Sequence, residues 1–529
     1  MRNAVGADTG ENVMKKNKEK RKLRYGTVSL LLCVLVIAFA VILNVIAAML
    51  GMRYDWMYIE LDTPAVYEIS EDCWDYLEKY VISEVDRANE GKSEKQKIKI
   101  ILCDTEKNIR SEQLYGYILD SVYEISDMFP GYFEIEYLNI WERPGEAASY
   151  GVTSTEDVVC VFDNRHQTVN LKNMYIIESD GYNSSAVAYN GEKIIASCLM
   201  RVTQNGDPMC YLTLNHGEVW GDYEFVRIIA EAGYTVGFLD LYNEDIPEDC
   251  ELLITFDPKK DMAVNDETSA ISEIEKLDRF MANGGKYMVF MSADTFASGG
   301  FENFEAFLAS KGIKYMHESG DGGVEACYLI RDNANSLTTD GCTVLAKNAE
   351  MGTGASALKG IKAPNSFGNA TCIAFSDSFN NDGKGNYKSA DGKIVASPLI
   401  VTHDTAIAWA GGRAVARASE GEFALMTLSE QKCDNGKTGY LVASASVDFA
   451  AQESMRSAVL GNSRTLTEII RYMGKDNAPA NLVFKPFGET SIQSLTTRNA
   501  NITTVFLVAI PAVACVAVGA VVLIRRRNR

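Results

Sequence analysis

The stretch of the chain that first suggests chemistry is YLTLNHGEVW, residues 211–220, where an apolar run ends in a polar turn. The turn contains Asn215, His216, Gly217 and Glu218. A histidine beside a carboxylate can share a proton with it or join it in binding a metal. Ligands of open α/β sheets bind beyond the carboxyl ends of the strands, so a polar turn after a strand is also well placed for binding. These four residues are the candidate site.

A purely structural turn is the alternative interpretation of the same residues. Gly217 gives the backbone freedom that a turn needs, and Glu218 is favoured near the positive end of the helix that follows. The other histidines, His166, His317 and His403, are isolated and show neither H-x-x-x-H nor H-E-x-x-H spacing. We therefore expect a binding or structural turn, with no catalytic residue, no metal and no cofactor.

Other nucleophile and phosphate motifs are weak or absent. Ser292 ends a predicted strand, and Ser446 and Asp448 follow another, but no G-x-S-x-G motif surrounds them. Serine and aspartate in these positions are more typical of turns. Neither G-x-x-x-x-G-K-[ST] nor a helix-opening G-x-G-x-x-G occurs, which excludes ATP hydrolysis by that route.

One loop partly matches a calcium-binding pattern. SFNNDGKG, residues 378–385, places Ser378, Asn380, Asp382 and Gly383 in step with an EF-hand loop. The twelfth position is Ser389, which cannot supply the bidentate glutamate that such loops require. An ordinary loop is the better interpretation.

Local patterns predict an α/β unit over residues 53–175. Helical spacing of apolar residues indicates helices over 71–88 and 111–128. Strands are predicted at KIKIILC (97–103), FEIEYL (133–138) and DVVCVFD (157–163). Strands that alternate with helices favour a parallel sheet covered by helices.

A second α/β unit is predicted over residues 207–480, after a connector at 176–206. Strands at MCYLTL, TVGFLDL, ELLITF and KYMVFMS alternate with helices over 223–232 and 265–281, which predicts a doubly wound sheet. A strand at 439–449 and a helix at 463–473 complete this unit. A stretch rich in glycine, asparagine and aspartate, 318–395, is interpreted as an insertion or long hairpins.

Two uncharged segments, 25–52 and 502–524, are long enough to cross a membrane as helices. Basic tails at 1–24 and 525–529 flank them, and a linker is expected at 481–501. Cations stay on the cytoplasmic side, so we expect a two-pass protein of the cell membrane with both termini cytoplasmic and residues 53–498 extracytoplasmic.

Composition excludes some partners. The net charge is −20 and the positive tails make the part between them still more acidic, which argues against nucleic acid and anionic lipid. Ten of the twelve cysteines lie outside the predicted membrane segments, and none forms C-x-x-C. Most are expected to be buried as small apolar side chains, with their disulfide state open.

Several segments together resemble a known family. They are ISEDCWDYLEKY, NGEKIIASCLMRVT, FMANGGKYMVFMSADT, GNSRTLTEIIRYM and the terminal VFLVAIPAVACVAVGAVVLIRRR. In this order they are similar to the gliding-motility-type auxiliary proteins of ABC transporters, over nearly the whole chain.

The resemblance implies a thioredoxin-like first unit without redox cysteines. It also implies a flavodoxin-type, glutamine-amidotransferase-like second unit without a catalytic nucleophile. The family shows Gly-His-Gly-Glu where this chain has Asn215 to Glu218, and asparagine tolerates the left-handed backbone that the turn needs. The implied partners are a separate ATPase and a permease.

The expected function is therefore a non-enzymatic auxiliary subunit of an ABC transporter, whose acidic body binds a small-molecule or polymer substrate or a partner. One alternative is an anchored enzyme that uses His216 and Glu218. Another is a surface adhesin or sensor, although the short tails leave no room for a signalling domain.

Overall fold

The computed structural model describes residues 64–179, 184–218, 223–265, 271–297, 300–319, 325–457 and 459–487. Its first ten strands are β1 (Ile98–Leu102), β2 (Phe133–Tyr137), β3 (Asp157–Phe162), β4 (Arg165–Asn170), β5 (Tyr175–Ser179), β6 (Ser184–Tyr189), β7 (Met209–Thr213), β8 (Thr235–Leu239), β9 (Cys250–Phe256) and β10 (Lys286–Phe290). The later strands are β11 (Ile313–Tyr315), β12 (His317–Ser319), β13 (Glu325–Cys327), β14 (Leu329–Arg331), β15 (Thr343–Asn348), β16 (Asn365–Gly368), β17 (Ile373–Phe375), β18 (Asn380–Asn381), β19 (Tyr387–Lys388), β20 (Ile394–Val401), β21 (Ile407–Ala410), β22 (Arg413–Arg417), β23 (Ala424–Lys432), β24 (Thr438–Ser444) and β25 (Lys485–Pro486).

The α-helices are distributed along the same residues. They are α1 (Pro64–Tyr67), α2 (Glu71–Leu77), α3 (Ser83–Ala88), α4 (Glu106–Ser111), α5 (Gln113–Met128), α6 (Pro144–Ser149), α7 (Gly191–Thr203), α8 (Tyr223–Glu231), α9 (Glu273–Ala282), α10 (Ala293–Phe296), α11 (Glu302–Ser310), α12 (Thr353–Ala357), α13 (Gln452–Met455) and α14 (Asn462–Tyr472). A π-helical turn, Glu78–Ile82, joins α2 to α3, so the predicted helix over 71–88 is confirmed. Ser70 is the N-cap of this helix, and its hydroxyl accepts a hydrogen bond from the Cys73 backbone N–H.

The alternation of strands and helices predicts a parallel first sheet, but the sheet is mixed. Its order is β2-β1-β3-β4, with β1 parallel to β2 but antiparallel to β3. The β3–β4 pair is a tight hairpin, in which Phe162 pairs with Arg165. A two-residue turn returns the chain antiparallel, whereas a parallel return needs a crossover of a dozen or more residues.

The second sheet is half parallel and half antiparallel. Strands β8, β7, β9, β10 and β24 are parallel neighbours, as the doubly wound prediction requires. From β24 onward the sheet continues through β23, β20, β15 and β16 with antiparallel pairing. Strands β15 and β16 lie within the predicted insertion at 318–395, so that stretch extends the sheet.

Helix α7 occupies residues that the sequence patterns assign to the connector. Every side chain in it except Arg201 is buried. Its apolar residues belong to the same core as β1, β3 and α5, a core that includes Ile98, Leu119 and Leu199. A larger core lies around the second sheet and contains Leu212, Ile254 and Phe290.

The predicted fold class and localisation need correction. Within the described residues, no helix is long and apolar enough to cross a membrane. That finding contradicts the expectation of a two-pass membrane protein with transmembrane helices and an extracytoplasmic body. The segments on which the expectation rested, 25–52 and 502–524, lie outside the described residues, as do both basic tails.

The ten cysteines in the described part of the chain are free. Seven are buried, which confirms the expectation that most serve as small core side chains. The three that are only partly buried are Cys327, Cys342 and Cys433.

Candidate functional site

The predicted turn lies directly after β7, at the carboxyl edge of the parallel half of the sheet. Asn215 has φ 76° and Gly217 has φ 78°, so both adopt left-handed backbone. Asparagine and glycine are the residues that reach this region most easily. Both are exposed, and the Asn215 amide donates a hydrogen bond to the Asp240 carboxylate.

His216 points the other way, into the protein, where its side chain is only 6% exposed. Its Nδ1 lies 3.2 Å from Oε1 of Glu218, and its Nε2 lies 3.0 Å from Oε2 of Glu273. The backbone N–H of His216 also donates to Oε2 of Glu218 at 2.7 Å. Both ring nitrogens are thus occupied by carboxylates that are themselves buried.

Glu273 is the partner that the sequence did not reveal. It opens helix α9, where Ser272 is the N-cap and accepts a hydrogen bond from the Glu275 backbone N–H. Its Oε2 also accepts a hydrogen bond from the backbone N–H of Ala263 at 2.8 Å. The second oxygen, Oε1, is buried and accepts no hydrogen bond from the described residues. No spacing motif joins residues 216 and 273, so only the fold reveals the pair.

Electrostatics favour a charged imidazolium at this position at neutral pH. Burial by itself lowers the pKa of His216, but hydrogen bonds and charge attraction from Glu218 and Glu273 outweigh it and raise the pKa from 6.5 to about 10. Burial raises the pKa of Glu218, yet its contacts with His216 and Thr213 prevail and leave that pKa below its usual value. The three side chains form a buried carboxylate–imidazolium–carboxylate cluster.

This cluster is suited to a structural role, in which it holds the turn after β7 against α9. A general base needs a free lone pair on the imidazole and access to a substrate, but both nitrogens of His216 donate to carboxylates and the ring is buried. The cluster links the β7 turn to α9, and the His216 carbonyl accepts a further hydrogen bond from the Lys259 backbone at 2.7 Å. The exposed Asn215 and Gly217 remain available for surface contacts.

The other predicted nucleophiles are engaged in structure. Ser292 is 6% exposed and caps α10 together with Thr295. Ser446 is fully buried and donates its hydroxyl hydrogen bond to the Gly368 carbonyl. Asp448 begins a short 3-10 helix, Asp448–Ala450. Within the part of the chain that the structure describes, no histidine is among the hydrogen-bond partners of Ser292 or Ser446.

The calcium-like loop is closed by its own contacts. Asp382 accepts hydrogen bonds from the Lys384 and Asn386 backbones at 2.8 and 3.1 Å, and its other oxygen lies 3.1 Å from the Lys388 amine. Ser389 donates to Asp391 at 2.6 Å. Within the described residues, no group of three or more His, Cys, Asp or Glu side chains has the geometry to hold a metal.

A second cluster, not found from the sequence, contains Glu305, His317 and Cys327. The imidazole Nε2 of His317 lies 2.6 Å from Oε1 of Glu305, and the Cys327 thiol contacts the Met316 carbonyl and the Thr371 hydroxyl. In the sequence the three residues are separated by spacings of 12 and 10 with no motif. The antiparallel pairing of β12 with β13 is the only local signal, and it places His317 opposite Cys327.

Comparisons with known proteins add little. No family model matches the chain, and no curated protein matches it. Among solved structures, one described as the mmIFT52 N-terminal domain matches with a TM-score of 0.35 and 11% identity, over 50% of this chain and 97% of the other. A cytoplasmic protein from Salmonella typhimurium, STM3548, matches with a TM-score of 0.30 and 9% identity, over 50% and 98%. Both TM-scores are below 0.5, so neither likeness bears on function.

Proposed function

We propose that the chain is a non-enzymatic auxiliary subunit of an ABC transporter, in which the α/β body binds a partner subunit or a transported substrate. Several segments of the chain resemble, in the same order, those of gliding-motility-type auxiliary proteins, and this resemblance supports the transporter assignment. The missing phosphate-binding motifs support it as well, since a separate ATPase must then supply the energy.

One observation carries the non-enzymatic part of the proposal. His216, the best catalytic candidate in the sequence, is buried between Glu218 and Glu273 with both ring nitrogens engaged. An imidazolium in this state has no lone pair for general base catalysis. The exposed Asn215 and Gly217 next to it are suited to contact with another molecule, as expected for a binding turn.

Co-purification tests the proposal. An affinity tag is placed on the chain in its native host, cells are extracted with mild detergent, and bound proteins are identified by mass spectrometry. We expect an ATPase that carries a P-loop and a permease with several membrane spans, recovered in fixed proportion to the chain. Recovery of the chain alone, under conditions that keep a known transporter of the same host intact, would contradict the proposal.

A variant tests whether the turn contacts a partner subunit. Asn215→Gly keeps the left-handed turn, because glycine adopts positive φ freely, and removes only the exposed amide and its bond to Asp240. If the turn contacts a partner, this variant lowers recovery of the permease while the thermal melting of the isolated chain stays near that of wild type. Tyr242→Ala, which removes an exposed side chain two residues beyond Asp240, is the control.

A further inference from the structure

We propose that a cavity between α7, α8 and β4 binds a small α-hydroxycarboxylate, whose carboxylate pairs with Arg201 and whose hydroxyl donates to Glu231. The proposal goes beyond the transporter role and does not depend on it, because this chain alone supplies every residue of the site. The cavity is lined by different residues from those of the two histidine clusters.

The cavity has the size and the wall of a site for a small aliphatic molecule. Its volume is about 230 Å³, below the range of drug-sized sites, which begins at about 300 Å³. Its apolar wall is formed by Val169 of β4, Ile194 of α7, and Val226 and Ala230 of α8. Tyr223, which is 68% exposed, also lines it and lies at the protein surface. A ligand with a short hydrocarbon body and one polar end suits this wall.

Arg201 is the cation in this cavity that lacks a counter-charge. Its guanidinium is half-buried, and within the described residues it makes neither a hydrogen bond nor an ion pair. Burial lowers the pKa of Arg201, and attraction to Cys198, Asp207 and Glu231 does not restore it. Asp207 instead forms an ion pair with Arg165, at 3.0 Å. The planar donor fork of an arginine matches a carboxylate, so a ligand that brings one satisfies Arg201.

Glu231 supplies the complementary group, which is an acceptor without a donor. Its side chain is only 9% exposed and lines the same cavity from the end of α8. One carboxylate oxygen, Oε1, is bound by Arg227, whereas Oε2 is buried and accepts no hydrogen bond from the described residues. Lys193 Nζ lies 3.4 Å from Oε2 as a charge contact without a hydrogen bond. A buried acceptor without a donor is unfavourable, so a ligand that carries a donor gains affinity here.

The local charge favours a hydroxyl over an ammonium group as that donor. Four basic side chains and two carboxylates lie in the cavity wall or directly beside it: Lys193, Arg201, Arg227, Arg456, Glu224 and Glu231. The excess is positive, and a carboxylate ligand reduces it. An amino acid would add an ammonium next to this excess, whereas an α-hydroxycarboxylate brings one negative charge and a neutral donor on the neighbouring carbon.

Calorimetry of the full chain tests the ligand class. The probe is α-hydroxyisocaproate, and three further ligands each change one group. Isocaproate lacks the hydroxyl, leucine has an ammonium in its place, and α-hydroxyisocaproamide has no carboxylate charge. We expect one binding site for the probe, with a Kd below about 1 mM. Isocaproate and the amide should bind at least about tenfold more weakly, and leucine should also bind more weakly than the probe.

Each of the opposite results is decisive. Without saturable binding of the probe, or with equal affinity for isocaproate or the amide, the proposal is wrong. Leucine that binds more tightly than the probe overturns the choice of a hydroxyl as the donor. Inorganic phosphate that binds as tightly as the probe overturns the assignment of a carboxylate, because the site would then accept any small anion.

Substitutions locate the binding in this cavity. Arg201→Met keeps the aliphatic stem, removes the charge and should weaken binding of the probe at least about tenfold. Ala230→Leu fills the cavity from α8 with a good helix former and should abolish binding. Arg279→Met is the matched control, since Arg279 lines another cavity but is already paired with Asp245 at 3.3 Å, and it should bind as wild type does.

Thermal melting shows whether each variant is folded. A folded Arg201→Met or Ala230→Leu variant with wild-type affinity overturns the proposal, as does a loss of binding in Arg279→Met as large as that in Arg201→Met. If Arg201→Met fails to fold, Ala230→Leu supplies the comparison, because it leaves every charged side chain in place.

Discussion

His216 shows how a residue type that suggests catalysis can serve the fold instead. Its ring is held by Glu218 from its own turn and by Glu273 from α9, and all three side chains are at least 94% buried. A buried charge is tolerated only when it is paired and hydrogen-bonded. Removal of the imidazolium would leave two carboxylates facing each other without a counter-charge.

Substitution of His216 tests this structural role. His216→Ala is expected to lower the free energy of unfolding by about 3–5 kcal/mol, the usual cost of breaking a buried ion pair from one side. Urea denaturation followed by circular dichroism measures it. His166→Ala removes an exposed histidine and should change the free energy by less than about 0.5 kcal/mol. A His216→Ala variant as stable as wild type but without function would instead favour the enzyme alternative.

The pH dependence of stability gives an independent check. The pKa of His216 is raised from 6.5 to about 10 in the folded state, so the folded state holds its proton more tightly than the unfolded state does. Its stabilising contribution is complete below pH 6.5 and is lost as pH rises toward about 10, at up to about 1.4 kcal/mol per pH unit.

The measurement is the difference between wild type and His216→Gln across that pH window. His317 has a pKa raised in the same direction, and buried thiols also titrate at high pH, but both are common to the two proteins and cancel. We expect the stability difference to shrink steadily above pH 6.5. A difference that is constant with pH would mean that His216 is neutral in the folded protein.

At the scale of elements, the close approach of α9 to β24 requires a glycine at position 439 of the strand. Gly439 lies in β24, and a Cβ atom at this position would meet the Met281 carbonyl oxygen from the end of α9 well inside van der Waals contact. The obstacle is a backbone atom, so a side-chain rotation cannot relieve the clash. The glycine is what lets the helix end pack onto the strand.

Gly439→Ala is therefore expected to destabilise the protein by about 1–3 kcal/mol, since the helix end must move. Thermal denaturation measures the change. Gly145→Ala is the matched control, because a Cβ there meets no atom within 4 Å and the residue lies in helix α6. Alanine in a helix is favoured over glycine by up to about 1 kcal/mol, so the control should be neutral or slightly stabilising. Equal losses in both variants would contradict this account of the α9–β24 contact.

At the scale of the whole molecule, helix α7 connects the two main sheets. Its apolar residues fill the core under the first sheet, and Lys193 Nζ lies 3.4 Å from Glu231 of α8, beside the second sheet. Burial lowers the pKa of Lys193, and the charge of Glu231 opposes that shift. A helix that packs in the first core and pairs with a helix beside the second should couple the stabilities of the two sheets.

Leu199→Ala tests that coupling. Leu199 is fully buried in α7, so the variant should lose about 2–5 kcal/mol. Hydrogen exchange read by mass spectrometry should show reduced protection in β1 of the first sheet and in β9 of the second sheet together. Leu114→Ala, at a side chain that is 40% exposed in α5, should leave both strands near wild-type protection. Loss of protection in β1 alone would show that the sheets unfold independently.

The amino-acid sequence by itself determined the elements whose signals are local. Apolar periodicity with a serine cap predicts the helix over 71–88, and continuous apolar runs predict strands such as β7 and β10, because these patterns follow directly from backbone geometry. The positive φ of Asn215 is likewise expected from residue type. The burial of most cysteines is also expected from their apolar neighbours, whereas the sequence leaves their free state open and the structure shows it.

Only the tertiary structure decided how those elements pair and which side chains meet. The parallel pairing of β24 with β10 joins segments about 150 residues apart, and no local pattern encodes it. Glu273 reaches His216 across 57 positions, and Glu305 joins His317 and Cys327 from a separate helix. Such contacts depend on the packing of helices onto the sheets, so the burial that makes His216 structural, and the pairing that places Cys327 beside an imidazole, appear only in the folded chain.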